Sequence, residues 1–325
     1  MKLWHRLVVC CFLTVGSTGL TGCRAAFRPW VRSEPVPIVF QQPPSLPELI
    51  QVVNANTDAV RQLQTPSAYL RLNGMTSLQA DIAVDRPRRF RLRGALSSLT
   101  GKEVDIGSNN DVFWMWVKRQ RPRAMYFARH NEFDRSSIAQ SIPVRPNWLV
   151  EAMGLVQLDP NGRHEGPTAA GPNRIKVRSW IPGPQGQLVR DMIIHEKAGW
   201  ILEQHVYDSA GNLIASVKAK DHRSYKEHGA TLPHKLDIQL TMAQFGNVAF
   251  QLQIDRYTIN YLMGEEEFLW KMPEYKGFPL VDLSRQSLRS GKRQSPEVLG
   301  QRYSRTPDYR VGGYAPRVRG YRDRR

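Results

Sequence analysis

Residues 78–93, LQADIAVDRPRRFRLR, decide the fold of this chain. Apolar side chains occupy every second position on both sides of the proline, at Leu78, Ala80, Ile82, Val84, Phe90 and Leu92. A period of two is that of a β-strand with one buried and one wet face, because successive side chains of a strand point to opposite sides. The stretch therefore predicts two strands of a sheet.

The same pattern continues along most of the chain. Turn sequences such as Ser108-Asn109-Asn110-Asp111 separate further strand-like runs. These runs lie near 68–73, 102–107, 112–118, 123–128, 174–181, 188–195, 200–208, 213–225, 234–241 and 248–260. Since about twelve strands follow one another as hairpins, we expect an antiparallel sheet. Residues 159–173, rich in Gly and Pro, are expected to form a loop.

Only two segments have helical patterns. Ser45 and Glu48 have capping-box spacing and precede an apolar stripe of about 18 residues that ends at Thr65-Pro66. The second helix is expected over 147–155. Two short helices cannot cover so large a sheet conventionally. We therefore predict a mainly β fold, a strongly curved antiparallel sheet or half-open β-barrel of about 11–12 strands with two lid helices, enclosing an apolar cavity.

The N-terminus has the pattern of a bacterial lipoprotein signal peptide. Lys2 and Arg6 precede a short apolar run that closes on Leu20-Thr21-Gly22-Cys23. A run of about ten residues is too short to span a bilayer as a helix. We expect cleavage after residue 22 and lipidation of Cys23, with an ordinary signal peptide as the alternative. Residues 23–44, rich in Pro, are then a tether.

Composition restricts the chemistry of the remaining chain. All three cysteines lie within the first 23 residues, so the folded part has no disulfide, thiolate nucleophile or Cys-ligated metal. The net charge is +17, and residues 284–325 contain 12 Lys/Arg against three Asp/Glu. An exported protein does not meet nucleic acid in its usual compartment. We therefore expect the basic residues to bind anionic lipids or wall polymers.

The last segment, 284–325, differs from the rest. It contains few aliphatic residues and repeats Arg and Tyr among Gly and Pro. This composition predicts disorder. Its role is either docking to an anionic envelope surface or that of a solvated tail without a partner. Docking would use Arg302, Arg305, Arg310, Arg317 and Arg319.

Three motifs resemble those of a known group of proteins. Residues 86–92, RPRRFRL, resemble the Pro-x-x-Phe-Arg strand of the LolA/LolB-like superfamily of lipoprotein carriers. Residues 109–116, NNDVFWMW, resemble the apolar-aromatic strand that follows it. Residues 260–273 resemble the closing Asn…Phe…Pro segment. The resemblance covers roughly 46–283 and implies an incomplete barrel with a helical lid over a cavity for acyl chains.

Lipidation at Cys23 would make the chain similar to the outer-membrane receptor of that superfamily, LolB, rather than to its soluble carrier. Residue 24 is Arg and not the Asp that retains many lipoproteins in the inner membrane. The resemblance therefore favours residence in the outer membrane, facing the periplasm, and we expect a monomer. The long tether and the basic tail depart from the receptor's pattern.

Candidate cavity and lid residues come from the helices and from strand 112–118. They are Leu49, Val53, Val60, Phe113, Trp114, Met115, Trp116, Trp148 and Met153. Phe113 and Met115 share one face of the strand and Trp114 and Trp116 the other, so one pair is expected in the cavity and the other beneath the tether or a helix. Ordinary core packing is the alternative for each of these residues.

Arginines also form a basic stripe. Arg86, Arg88, Arg89, Arg91 and Arg93 either grip a phosphate or polar head group or form a solvated strand face, which we favour. The eight histidines have neither metal-ligand nor nucleophile-elbow spacing. We therefore expect no enzyme, no catalytic or metal site and no cofactor.

The sequence thus favours a lipid-anchored envelope protein that binds acyl chains of lipoproteins or lipids and assists their localisation to the outer membrane. The alternative is a non-catalytic structural lipoprotein whose basic tail tethers the outer membrane to an anionic wall polymer or a protein partner.

Overall fold

A computed structural model of the 325-residue chain describes residues 36–285, except 73–76, 98–100, 134–144, 146, 184–185 and 243–245. Lipidation of Cys23 and the tail arginines, Arg302, Arg305, Arg310, Arg317 and Arg319, lie outside the described residues and stay predictions.

Most described residues belong to one sheet. Its strands are β1 (Gln62–Leu72), β2 (Leu78–Asp85), β3 (Arg89–Ala95), β4 (Lys102–Ser108), β5 (Val112–Val117), β6 (Met125–Arg129), β7 (His164–Ala169), β8 (Arg174–Gly183), β9 (Gly186–His195), β10 (Ile201–Tyr207), β11 (Leu213–Tyr225), β12 (Ala230–Met242), β13 (Gly246–Ile254), β14 (Thr258–Ile259) and β15 (Leu280–Asp282).

The strand order is β15-β6-β5-β4-β3-β2-β1-β13-β12-β11-β10-β9-β8-β7, and β14 pairs with β1. Two runs of successive hairpins thus meet where β1 pairs antiparallel with β13. The predicted mainly β, curved and unclosed sheet is confirmed. One pair, β15 with β6, is parallel, so the sheet is mixed rather than purely antiparallel.

Three strands go beyond the twelve expected from sequence. Strands β14 and β15 are short, and β7 lies within the expected loop 159–173. Strand β7 pairs with β8 through a register shift between Glu165 and Thr168, and Gly166 within this step has φ 110°. Strand β7 is the last strand of the order, so one of its edges makes no hydrogen bonds to a neighbouring strand. It therefore tolerates Gly and Pro.

Within the described ranges, four α-helices accompany the sheet: α1 (Leu46–Asp58), α2 (His130–Phe133), α3 (Trp148–Ala152) and α4 (Glu266–Trp270). The backbone N–H and the hydroxyl of Ser45 both donate to Glu48 Oε2, at 2.8 and 2.6 Å. This pairing begins α1 as the sequence indicated.

Helix α1 is shorter than predicted. It ends at Asp58, and Val60 and Leu63 of the expected stripe lie beyond it, with Leu63 already in β1. Arg86 donates to the carbonyls of Thr57 and Val60, which satisfies part of the helix C-terminus. Pro66 therefore does not end the helix, and it lies in β1 at a register shift between Thr65 and Ala68.

Helix α1 and residues 147–158, here called the inner segment, cover one face of the sheet, the inner face. Leu49, Ile50 and Val53 of α1 pack on β8, β9 and β10. Trp148 and Met153 of the inner segment belong to the largest apolar cluster, which includes residues of β1, β2 and β3. The inner face is thus filled by two pieces of the chain.

The opposite, outer face of β2–β6 is covered by residues 266–278, here called the outer segment. Leu269 and Trp270 pack on Ala83 of β2. Farther along, Tyr275 stacks on Trp116 with ring centroids 3.8 Å apart. Trp114 lies against Gly107, where a Cβ would come within 2.2 Å of the indole, so only glycine fits there.

Candidate functional site

The candidate site is the inner face where the inner segment lies on it. Alternate residues of the strands, such as Ile82, Leu92 and Ile238, are buried there. They contact a segment that contributes Trp148, Val150, Ala152, Met153 and Leu155. A flexible methionine among large apolar side chains gives a surface that adapts to apolar chains of different shape.

The C-terminal end of the inner segment is attached to α1 by buried polar groups. Asn54 Nδ2 donates to the carbonyl of Leu158 at 2.7 Å, and Leu158 N–H donates to Asn54 Oδ1 at 2.8 Å. The Thr57 hydroxyl donates to the carbonyl of Val156 at 2.6 Å. These bonds satisfy backbone groups that burial would otherwise leave unpaired.

The N-terminal end of the segment meets a buried arginine on the inner face. Arg190 of β9 is 3% exposed and donates from Nη1 to Glu151 Oε2 at 2.6 Å. Gln204 of β10, 1% exposed, donates to the carbonyl of Glu151 at 2.9 Å. The segment is therefore held by polar contacts at two places and by apolar packing between them.

Beside Arg190 lies a cleft of about 360 Å³. Trp148, Ile181, Leu188 and Val206 supply apolar walls. His164 stands at its rim, with Nδ1 2.7 Å from the Ser179 hydroxyl. The cleft thus combines apolar side chains with a few polar groups, as small-molecule sites generally do.

The structure separates the sequence-predicted cavity residues into four groups. Val60, Trp148 and Met153 lie in the large inner-face cluster, and Leu49 and Val53 lie in the neighbouring α1 cluster. Phe113 and Met115 lie together at the β5–β6 end of the sheet. Trp114 and Trp116 lie on the outer face. The outer segment covers this last pair, whereas the sequence had suggested the tether or a helix as the cover.

The arginine stripe is bound largely within the chain. Arg91 pairs with Asp105 at 2.8 Å and is 4% exposed, which the favoured solvated strand face did not foresee. Arg93 pairs with Asp81, and Arg89 lies 3.2 Å from Asp85. Arg86 caps α1, as described above, and Arg88 is exposed.

Arg91 holds the outer segment in place. Its Nη1 donates to the carbonyls of Phe268, Leu269 and Lys271 at 2.8–3.2 Å. Asp105 is fully buried and also accepts from the Tyr275 hydroxyl at 2.7 Å. Burial and this hydrogen bond raise the pKa of Tyr275 above its usual value.

Several residues of the site were missed by sequence reasoning. Arg190 carried a visible signal, because it stands between Leu188 and Met192 in the apolar register of its strand. Asn54 and Thr57 carried a weaker one as small polar residues of an amphipathic helix. Their partners lie about a hundred residues away, so no local pattern could pair them.

A second groove, of about 480 Å³, lies between α1 and the β11–β12 hairpin. Val52, Trp200 and Pro233 line it, and the Trp200 ring stacks on His222 with centroids 5.1 Å apart. His222 Nε2 lies 3.1 Å from the carbonyl of Ile201. Burial lowers the pKa of His222 to about 4.

The lowered pKa of His222 predicts acid sensitivity. Between pH ~6.5 and ~4 the unfolded chain binds a proton at this residue that the folded chain does not, so stability falls as the pH falls. We expect a loss of about 2–3 kcal/mol over that range. The His222→Phe variant keeps the stacked ring and should lose less, as measured by urea unfolding at several pH values. Equal losses in both proteins would contradict this assignment.

Within the described ranges, no cluster of three or more His, Cys, Asp or Glu side chains is arranged to hold a metal ion. No helix in the same ranges is both long and apolar enough to cross a membrane.

Comparison with solved structures finds proteins of similar chain path. A candidate outer membrane lipoprotein-sorting protein domain from Vibrio parahaemolyticus matches with a TM-score of 0.44 and 11% identity, over 67% of this chain and 95% of that one. A LolA superfamily protein from Nitrosomonas europaea matches with a TM-score of 0.41 and 8% identity, over 69% of this chain and 97% of that one.

A DUF1329 family protein from Desulfovibrio piger matches with a TM-score of 0.44 and 8% identity, over 69% of this chain and 95% of that one. No protein-family model and no curated protein matches the sequence. At these identities and TM-scores no function passes from these proteins to this chain.

Proposed function

We propose that this chain is a lipid-anchored envelope protein that binds acyl chains on its inner face and assists the localisation of lipoproteins or lipids to the outer membrane. The observation that carries the proposal is the inner segment, a short piece of chain lying in a broad apolar surface. It is attached by Asn54 and Thr57 at one end and by Arg190 and Gln204 at the other.

An acyl chain could replace the contacts of this segment. Burying hydrocarbon is favourable by about 0.8 kcal/mol per methylene. The exchange breaks the polar contacts at the segment's ends and replaces its apolar packing with that of the acyl chain, and the released segment would expose its own hydrogen-bonding groups to water.

The anchor would place this surface beside its cargo. A single acyl chain binds membranes only marginally, whereas two or more hold a protein there stably. A lipidated Cys23 followed by a Pro-rich tether would keep the body near the bilayer while leaving it free to turn. Localisation to the outer membrane and the monomeric state belong to this proposal.

Two methionines offer a matched test of the site. Met153 is buried in the inner segment, and Met263 is 40% exposed in the loop before α4. We expect Met153→Lys to reduce uptake of a fluorescent fatty acid at least tenfold, because a charge on this surface opposes burial of hydrocarbon. Met263→Lys should leave uptake unchanged.

The measurement uses the full-length protein, with circular dichroism to establish that each variant is folded. Met153→Gln, a milder change of similar length, provides a second variant if the lysine prevents folding. Equal uptake by the Met153 and Met263 variants would show that acyl chains bind elsewhere. Native mass spectrometry of the purified protein would then identify any lipid that it carries.

The structural alternative, a tethering lipoprotein, depends on residues 284–325. Apart from Ser284 and Arg285, they lie outside the described residues. It stays a prediction.

A further inference from the structure

The cleft beside Arg190 contains hydrogen-bond donors that no described residue of the chain accepts from. Arg190 Nε and Trp148 Nε1 are both buried, and neither has a hydrogen-bond partner among the described residues. Both residues line the cleft of about 360 Å³. An unpaired buried donor destabilises the folded chain, so two in one cleft point to a ligand that accepts from them.

The walls of the cleft limit what that ligand can be. Ile181, Leu188 and Val206 are apolar and continue the surface on which the inner segment lies. The charged residues that line the cleft are Arg145 and Arg190 against Glu151 and Asp159, so their formal charges balance. A highly charged phosphate head finds no net positive charge there to attract it. A single acceptor oxygen at the end of an apolar chain matches both the two donors and the apolar walls.

We propose that this cleft binds the carbonyl end of an acyl chain, with its oxygen accepting from Trp148 Nε1 and Arg190 Nε. The hydrocarbon then runs from Leu188 and Val206 onto the inner face. This inference rests on the proposed function. It adds an orientation for the bound acyl chain, because the head of that chain is bound at the β8–β10 side of the sheet. The oxygen belongs either to the carboxylate of a free fatty acid or to the ester of a lipid or lipoprotein.

The Trp148→Phe variant tests the inference. It removes the indole N–H, which makes no hydrogen bond within the described part of the chain, and keeps an aromatic ring in the same place. Its affinity is compared with that of the unaltered full-length protein by displacement of a fluorescent fatty acid. The three competitors have the same chain: palmitate, methyl palmitate and hexadecyltrimethylammonium, whose head accepts no hydrogen bond.

We expect Trp148→Phe to weaken palmitate binding about tenfold, the loss of one hydrogen bond to a charged acceptor. Binding of the cationic amphiphile should not change. A matching loss for methyl palmitate assigns the site to acyl esters as well, and an unchanged affinity for it restricts the site to free carboxylates. The Arg190→Met/Glu151→Gln double variant, which removes the other donor without leaving a lone charge, should show the same selectivity.

Equal losses for all three competitors would overturn the inference, because they would mean that the substitution merely loosens the inner segment. No loss for any competitor would overturn it too, while leaving acyl binding itself intact. If none of the three amphiphiles displaces the probe from the unaltered protein, the proposed function fails together with the inference.

Discussion

Replacing Asp105 with Ala should lower the free energy of unfolding by about 3–5 kcal/mol, because it leaves a buried guanidinium without its counter-charge. Asp105 accepts from Arg91 Nη2 at 2.8 Å, from Trp114 Nε1 at 3.2 Å and from the Tyr275 hydroxyl at 2.7 Å. The loss should appear in urea unfolding monitored by circular dichroism, and limited proteolysis should cut the outer segment faster.

Asp81 provides the matched control. It pairs with Arg93, which lies directly opposite it on the neighbouring strand, and their side chains are 37% and 26% exposed. Exposed pairs contribute about 0–1 kcal/mol, so Asp81→Ala should have a small effect. The Arg91→Met/Asp105→Leu double variant should recover much of the stability, since neither charge remains buried. Equal effects of Asp105→Ala and Asp81→Ala would contradict the assigned role of the buried pair.

Replacing Asn54 with Ala should release the inner segment. The substitution removes both hydrogen bonds to Leu158 and leaves two buried backbone groups unpaired, at a cost of about 2–4 kcal/mol. If the inner segment must move for an acyl chain to enter, lowering the free energy of its opening by about 1.4 kcal/mol raises the rate of uptake about tenfold. Stopped-flow mixing with a fluorescent fatty acid measures that rate.

Asn56 separates this effect from general destabilisation. Its amide accepts from Thr231 N–H at 2.7 Å and donates to the Thr231 carbonyl at 3.2 Å, a similar pair of bonds directed to the β11–β12 hairpin. Asn56→Ala should lose stability without faster uptake. If both variants take up the probe at the same rate, the inner segment does not control entry.

The strands were predictable because their signal is local. Alternation such as that of Leu78, Ala80 and Ile82 depends only on neighbouring residues, and all twelve expected runs form strands. Strands β14 and β15 are short, and the pairing of β7 is interrupted by a register shift, so tertiary contacts decide how these strands pair. The end of α1 was misplaced because Val60 and Leu63 fit both a helical pattern and a strand pattern, and tertiary contacts decide between the two.

Faces and partners were less predictable. The sequence indicated that both faces of β5 are apolar, but the outer segment decides that Trp116 lies outside and Met115 inside. Arg91 resembled its exposed neighbours in sequence, and the carbonyls that bury it lie 177 to 180 residues later in the chain. Arg190 is the residue that could have been found, because a charge in an apolar register predicts a buried polar site.

The most direct test of acyl binding on the inner face is photo-crosslinking. The full-length protein is irradiated with a diazirine-labelled fatty acid, and the labelled peptides are identified by mass spectrometry. Adducts on residues 147–158 and on inward-facing positions such as Met115 and Leu188, competed by unlabelled palmitate, are the predicted result. Adducts confined to outward-facing residues such as Tyr207 and Tyr69, or labelling that palmitate does not reduce, would contradict acyl binding at the inner face.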